Sequence, residues 1–175
     1  YDQVAITYPS SGTTSAPIPF LLSHDGKSLV QFNQFDISVD PRTMISESNR
    51  PARGGPESAP VSIVVFDDLE CPFCARLNAT IFPAVLDRYK NQVRIVYMDF
   101  PSPGHPWALR AAVDVSCLAA RSGTAYWNAV DTIHARAAEL GGAERSLAKA
   151  NDSLDEIVRQ SGAQQHVDAT ALNAC

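Results

Sequence analysis

The chain has 175 residues and a mass of 18.9 kDa, room for one domain or one domain with an extension. With 45% hydrophobic and 19% charged residues it can bury a core, which argues against wholesale disorder. Fourteen Lys and Arg against nineteen Asp and Glu leave a net charge of −5 and no basic cluster. That composition argues against nucleic-acid binding, because neutralising phosphates takes grouped cations, and no apolar run is long enough to cross a bilayer.

The chain begins at Tyr1 without a leader-like apolar run, as expected of a processed or deliberately cut product. Residues 1–17 are rich in Ser, Thr and Pro and read as extended or loose. Segment 20–32 holds two apolar runs around Asp25-Gly26, the signal of a hairpin over 18–33 with a two-residue turn. Asp40 as N-cap with Pro41 at the first helical position predicts a short helix over about 41–48. The stretch 50–60, RPARGGPESAP, has three prolines and no periodicity and reads as a linker. Residues 1–59 are therefore expected to form an N-terminal extension and linker, with the main domain at 60–175.

From Pro60 the pattern changes. VSIVVF at 61–66 predicts a strand buried on both faces. The Cys71-Pro72-Phe73-Cys74 motif then opens a helix with Phe73, Leu77, Ile81, Ala84 and Val85 on one face, which Pro83 should kink. QVRIVYMDF at 92–100 predicts a second strand. The loop 101–106 leads into a helix with Leu109, Ala112, Val113, Cys117 and Ala120 along one stripe. Helices over 124–139 and 144–160 follow, separated by Gly141-Gly142; Leu147, Ala150, Leu154 and Val158 point inward and Ser161-Gly162 ends the second. Asp168 is placed to cap a last short helix. Strand, helix, strand and then several helices make an α/β domain with a helical insertion at about 105–160.

Four cysteines are too few for a disulfide-built mini-protein, but their spacing is informative. A strand-to-helix loop puts Cys71 against the free amides and positive dipole end of the helix, which favour a thiolate. Pro72 suits the first helical position, where its missing amide costs nothing. Cys74 lies one turn on, within disulfide reach and deeper, so that Cys71 exchanges and Cys74 resolves. Two other readings stand beside this one: a Cys₄ zinc site completed by Cys117 and Cys175, or a pair of inert buried thiols. The strand-then-helix context favours the redox reading.

The blocks VSIVVFDDLECPFCARLNATIFPAV and VRIVYMDFPSPGHPWALRAAVDVSCLAA resemble the thioredoxin-fold disulfide oxidoreductases of the DsbA type. They are most similar to the bacterial branch with a Phe-x-Asp-x-Glu-Cys-Pro-Phe-Cys active site. The resemblance runs from about Pro60 to Cys175 and leaves out residues 1–59. It implies a thioredoxin-like α/β fold with inserted helices, acting outside the cytoplasm, most simply in a bacterial periplasm. Its implied activity is forming or reshuffling disulfides in reduced exported proteins through Cys71 and Cys74. The implied partner is a membrane-bound, quinone-linked reoxidant; no cofactor or metal is implied, because the dithiol carries the electrons. The same resemblance implies a structural disulfide between Cys117 and Cys175, against the bland reading of Cys117 as a buried free thiol.

The sequence departs from that family twice. The acid commonly found six residues before the first active-site cysteine is Val65 here, which leaves Asp68, Glu70 or water to handle the Cys74 proton. All 12 prolines lie at or before Pro106, so the cis-proline, the C-terminal β-hairpin and the final helix are expected to be missing from this chain. His105 is placed to approach the thiolate, or simply to start a helix beside Pro106. Phe73 and Trp107 offer either a substrate-facing patch or core packing. His24, His134 and His166 stand singly with no shared role. The rival function is a non-catalytic thioredoxin-like interaction module; within redox chemistry, an isomerase or reductase.

Overall fold

The computed structural model describes residues 1–10, 13–31, 38, 40, 44–47 and 49–175. They form two compact units, Tyr1–Ser46 and Glu47–Cys175. In the first unit, β1 (Asp2–Ile6) pairs antiparallel with β4 (Ile18–Leu22), and β4 pairs with β5 (Leu29–Gln31). β2 (Pro9–Ser10) and β3 (Thr13–Thr14) make a two-rung ladder between them. Residues 1–17 are thus more regular than their Ser/Thr/Pro content suggests, because the alternation in DQVAI presents Val4 and Ile6 to one face. The expected hairpin forms with a longer turn than expected: Ser23 N–H donates to Ser28 O, and Gly26 takes φ +66° inside it. The helix expected over 41–48 falls largely outside the described residues.

The second unit carries a three-stranded sheet in the order β6-β8-β7. β7 (Val61–Asp67) lies parallel to the central β8 (Val93–Asp99), in register from Val61 opposite Val93 to Asp67 opposite Asp99. β6 (Ala52–Gly54) runs antiparallel on the other edge. Linker composition misleads at this strand. Arg53 reaches Asp131 with both terminal nitrogens at 3.0 and 2.6 Å and lies 4.2 Å over the Trp127 ring, so tertiary contacts hold a segment with no pattern of its own. Gly54 takes φ +101°, and a Cβ there would sit 2.4 Å from Leu86, so only glycine lets β6 lie this close. The double burial expected of 61–66 belongs to β8 instead, since β7 is an edge strand and half-exposed.

Between β7 and β8 the chain forms α1 (Pro72–Arg76), a wide π-turn over Leu77–Ile81, and α2 (Phe82–Tyr89). The expected kink takes this form because Pro83 has no amide for the ladder, and Phe82 N–H bonds back to Leu77 O instead. The extra residue rotates the apolar face. Phe73, Leu77 and Ile81 end up exposed, while Phe82, Val85 and Leu86 pack on the core.

The helical layer comprises α3 (Ala108–Ala119), α4 (Gly123–Arg136), α5 (Leu147–Ala163) and α6 (Ala169–Asn173). Ser122, Ser146 and Asp168 cap the last three by accepting backbone amides, as such residues do at helix starts. α3 buries Ala108, Ala111, Ala112, Val115 and Leu118, whose small members admit neighbouring helices closely. The predicted stripe is turned partly outward: Leu109 and Val113 are exposed, and so is Leu147 on α5. Ser161 and Gly162 lie within α5 rather than ending it, because Gly162 fits against Leu118 and Leu172, where a Cβ would meet both at 3.3–3.4 Å. Tyr97 at the centre makes edge contacts with Phe82 and Trp127 at 5.8 and 4.9 Å, joining sheet to helices.

Candidate active site

β7 ends at Asp67 and hands the chain to a tight loop before α1. Cys71 N–H closes that loop on Asp68 O at 3.0 Å, and the Asp68 carboxylate accepts Glu70 N–H at 2.9 Å. The second Asp68 oxygen accepts Ser102 N–H at 2.8 Å and lies 2.7 Å from His105 Nδ1. Glu70 accepts the backbone N–H of Trp107 at 2.8 Å. Asp68 and Glu70 therefore clamp the cysteine loop to segment 102–107, and their roles are structural as well as electrostatic. Burial pushes the Glu70 carboxyl above its ordinary range, against the Trp107 amide and the neighbouring His105, which favour its charge.

Cys71 is the N-cap of α1 with extended backbone angles and no side-chain capping bond, and Pro72 occupies the first turn. Both Cys71 and Cys74 are free, half-buried thiols. Burial pushes the Cys74 thiol up to about 12. The Asp68 amide works against this by hydrogen bonding to the sulfur, while the Cys71 side chain and the Asp67 charge add to the rise. The two sulfurs of one motif thus differ in setting: Cys71 caps the helix start, and Cys74 lies where burial favours its proton.

Phe73, between them, is 74% exposed, whereas Trp107 is buried in the core. The two do not form the joint patch that their sequence positions offered. A cleft of about 460 Å³ beside Cys71 is lined by Glu70, Pro72, Trp107, Gly141, Arg145 and Leu147. His105 sits in the loop before α3, not at its first turn, and faces Asp68. Cys117 and Cys175 are bonded to each other, which removes two of the four thiolates that a Cys₄ zinc site requires. Among the described residues no cluster of three or more His, Cys, Asp or Glu is arranged to hold a metal.

The Thioredoxin family model matches residues 47–174. The chain belongs to the thioredoxin family. Among solved structures, this thioredoxin-family chain is similar to α-DsbA1 of Wolbachia pipientis, with a TM-score of 0.58 and 16% identity over 78% of this chain and 64% of that one. The α-DsbA2 protein of the same organism gives a TM-score of 0.51 and 20% identity, over 78% and 70% of the two chains. These likenesses show the fold, a thioredoxin-like α/β core with inserted helices, as the resemblance in sequence implied. In sequence, the chain is 35% identical over 60 residues to the probable disulfide bond formation protein D of Bacillus cereus. That match covers 33% of this chain and 28% of the relative. It is 34% identical over 87 residues to the Na⁺/H⁺ antiporter NhaA 3 of Salinispora tropica, covering 49% of this chain and 13% of that one. The chain spans less than a third of either curated relative.

Two further polar residues belong to this region: Asp67, to which the sequence assigned no role, and His134, which it read as standing singly. Asp67, at the end of β7, is buried beside the cysteine loop, and His134 Nε2 on α4 lies 3.1 Å from its Oδ2. The available signal was periodicity: Trp127, Val130 and His134 share one face at helical steps, so His134 had to point inward.

Proposed function

We propose that this domain exchanges thiols and disulfides through Cys71 and Cys74. The observation that carries it is the asymmetry of the pair: a half-exposed Cys71 at a helix start, and a Cys74 that burial holds protonated up to about 12. When the pair is oxidised, a substrate thiolate attacks Cys71 Sγ. The Cys71–Cys74 bond breaks, the electron pair passes to Cys74 and the sulfur takes a proton. A second substrate thiolate then attacks the substrate sulfur of the mixed disulfide, which releases oxidised substrate and leaves Cys71 reduced. Because a thiol pushed up so far is a poor leaving thiolate, resupplying its proton matters to the rate.

Pro72 starts the helix, Asp68 and Glu70 hold the loop, and His105 anchors Asp68. Exposed Phe73 and the cleft beside Pro72 meet the substrate chain. The substrates are reduced exported proteins, the site of action is extracytoplasmic, in a bacterial periplasm, and a membrane-bound quinone-linked protein reoxidises the pair. The resemblance of the active-site block and the match to a disulfide bond formation protein support this reading. Among the described residues no helix is long and apolar enough to cross a membrane, in keeping with a separate reoxidant.

The test is insulin reduction and peptide oxidation by the chain and by Cys71→Ser. Activity lost in the variant is the expected result. A chain inactive in both assays with Cys71 and Cys74 intact points instead to a non-catalytic thioredoxin-like module.

A further inference from the structure

The position that would normally supply an acid to the second cysteine is Val65, and neither loop carboxylate is free to replace it. Asp68 is engaged by two amides and His105, and Glu70 by the Trp107 amide. Below the loop lies a pair with no structural task that accounts for all its atoms. Asp67 and His134 are 5% and 1% exposed in their side chains and share one contact, Nε2 to Oδ2. Asp67 Oδ1 and His134 Nδ1 are buried and have no hydrogen-bond partner among the described residues. A clamp between strand and helix would satisfy both ends, since a buried polar atom left unpaired loses its hydration with no hydrogen bond in return. The pair keeps one unpaired acceptor on Asp67 and one unpaired ring nitrogen on His134, on either side of a single hydrogen bond.

Each end meets something relevant. On the Asp67 side lies Cys74, which feels the Asp67 charge. On the other, His134 lines a cleft of about 300 Å³ together with Arg53, Asn78 and Asp131. That cleft is distinct from the one beside Cys71, sharing no lining residue with it.

We infer that Asp67 and His134 form a proton relay that connects Cys74 to solvent through the Arg53–Asn78–Asp131 cleft. When the Cys71–Cys74 bond is broken by a substrate thiolate, His134 passes a proton to the Asp67 carboxylate, which hands it on to the departing Cys74 sulfur. Water entering from the cleft that His134 lines then restores the His134 proton. In the reverse direction Cys74 passes its proton to Asp67. Its sulfur then attacks Cys71 Sγ of the mixed disulfide, and the substrate sulfur leaves with the electron pair. Asp67 is the group serving the reacting sulfur, and His134 is a positioning and refilling residue behind it. The relay rests on the exchange chemistry proposed above.

The charged and titratable groups facing the pair come from every neighbouring element. Cys74 belongs to α1, Tyr97 to β8, Tyr126 and Asp131 to α4, and Arg53 to β6. Burial holds both tyrosines well above the ordinary phenol range, so they stay protonated in a neutral assay.

The experiment is a pH series of single-turnover release of a peptide held as a mixed disulfide on Cys71, in the unsubstituted chain, Asp67→Asn and His134→Gln. Asp67→Asn should slow release about 100-fold at neutral pH, with the deficit shrinking as the pH approaches the ionisation of Cys74 itself. His134→Gln should give a smaller loss of the same shape. Parallel profiles, offset or superimposed, would overturn the relay, because a merely structural role does not change the slope with pH. A second measurement needs no buried substitution: release by the unsubstituted chain should be slower in D₂O, and equal rates in the two solvents would also overturn it. Release absent at every pH would sink the exchange reading and the relay together; release with unshifted profiles would sink the relay alone.

Discussion

The two cysteine pairs use the same atoms for opposite ends. Cys71 and Cys74 sit three positions apart at a helix start, half-buried and free. Cys117 and Cys175 stand 58 positions apart and are bonded, tying the interior of α3 to the end of the chain beyond α6. The difference lies in the surroundings. The first pair opens α1 beside the loop carboxylates Asp68 and Glu70; Cys117 has its own amide spent in α3 and belongs to the same buried cluster as Leu118 and Leu172. The surroundings, more than the sulfurs themselves, thus separate a free pair at a helix start from a bonded pair that staples α3 to Cys175.

The sharpest way to break that contrast is to substitute within the first pair. Given a peptide that carries a disulfide, Cys74→Ser should hold one peptide sulfur as a stable mixed disulfide on Cys71 while the other leaves as a thiol, visible as an adduct by mass spectrometry. Cys71→Ser should trap none. Equal trapping by both variants would make the pair symmetric and undo the assignment of roles.

Next in size is the staple. Replacing both Cys117 and Cys175 by Ala opens a 58-residue loop and should cost about 4 kcal/mol of stability in the chain-entropy account. Denaturant unfolding measures it. Exchange at Cys71, assayed well below the new midpoint, should be unchanged. A loss of exchange with little loss of stability would mean that the second pair takes part in the chemistry.

A smaller effect is expected from Asp68→Asn, which keeps the shape but removes the charge that gathers Ser102 N–H, Glu70 N–H and His105. Hydrogen bonds to a charged acceptor contribute about 1.5–3 kcal/mol each, so the variant should lose about 2 kcal/mol. Hydrogen exchange should quicken at Glu70 and Ser102 and stay unchanged around Cys117. Uniform quickening across both regions would show that the clamp holds the whole unit rather than the loop.

How much of this was legible in the sequence follows from what each signal depends on. β7 and β8 rest on local pattern and were legible as strands, although β7 is a half-exposed edge rather than the doubly buried strand expected. The helix face 73–81 was not legible, because the π-turn before Pro83 shifts the period by one residue and sends Phe73, Leu77 and Ile81 outward. β6 was hidden because it is held by Arg53 reaching Asp131 and Trp127, partners more than seventy positions away. Asp67 and His134 were hidden for the same reason: their contact joins residues 67 positions apart, and a lone histidine in a helix carries no mark of its partner.

A last effect separates the pairs by pH alone. Burial holds the Cys74 proton up to about 12, above the 9.0 of a cysteine in an unfolded chain. Between those values the unfolded chain binds fewer protons than the folded one, so stability must fall as pH rises. The contribution of Cys74 is thus fully present below pH 9 and is lost as the pH climbs toward 12. Cys117 and Cys175, being bonded, have no proton to lose in either state. The reduced chain should accordingly lose stability across that window in denaturant unfolding. The same chain with Cys71 and Cys74 oxidised should lose less, since its thiols no longer titrate. Identical slopes for the two redox forms would mean that Cys74 keeps an ordinary thiol's affinity for its proton, and would remove the asymmetry on which the contrast between opening and stapling pairs depends.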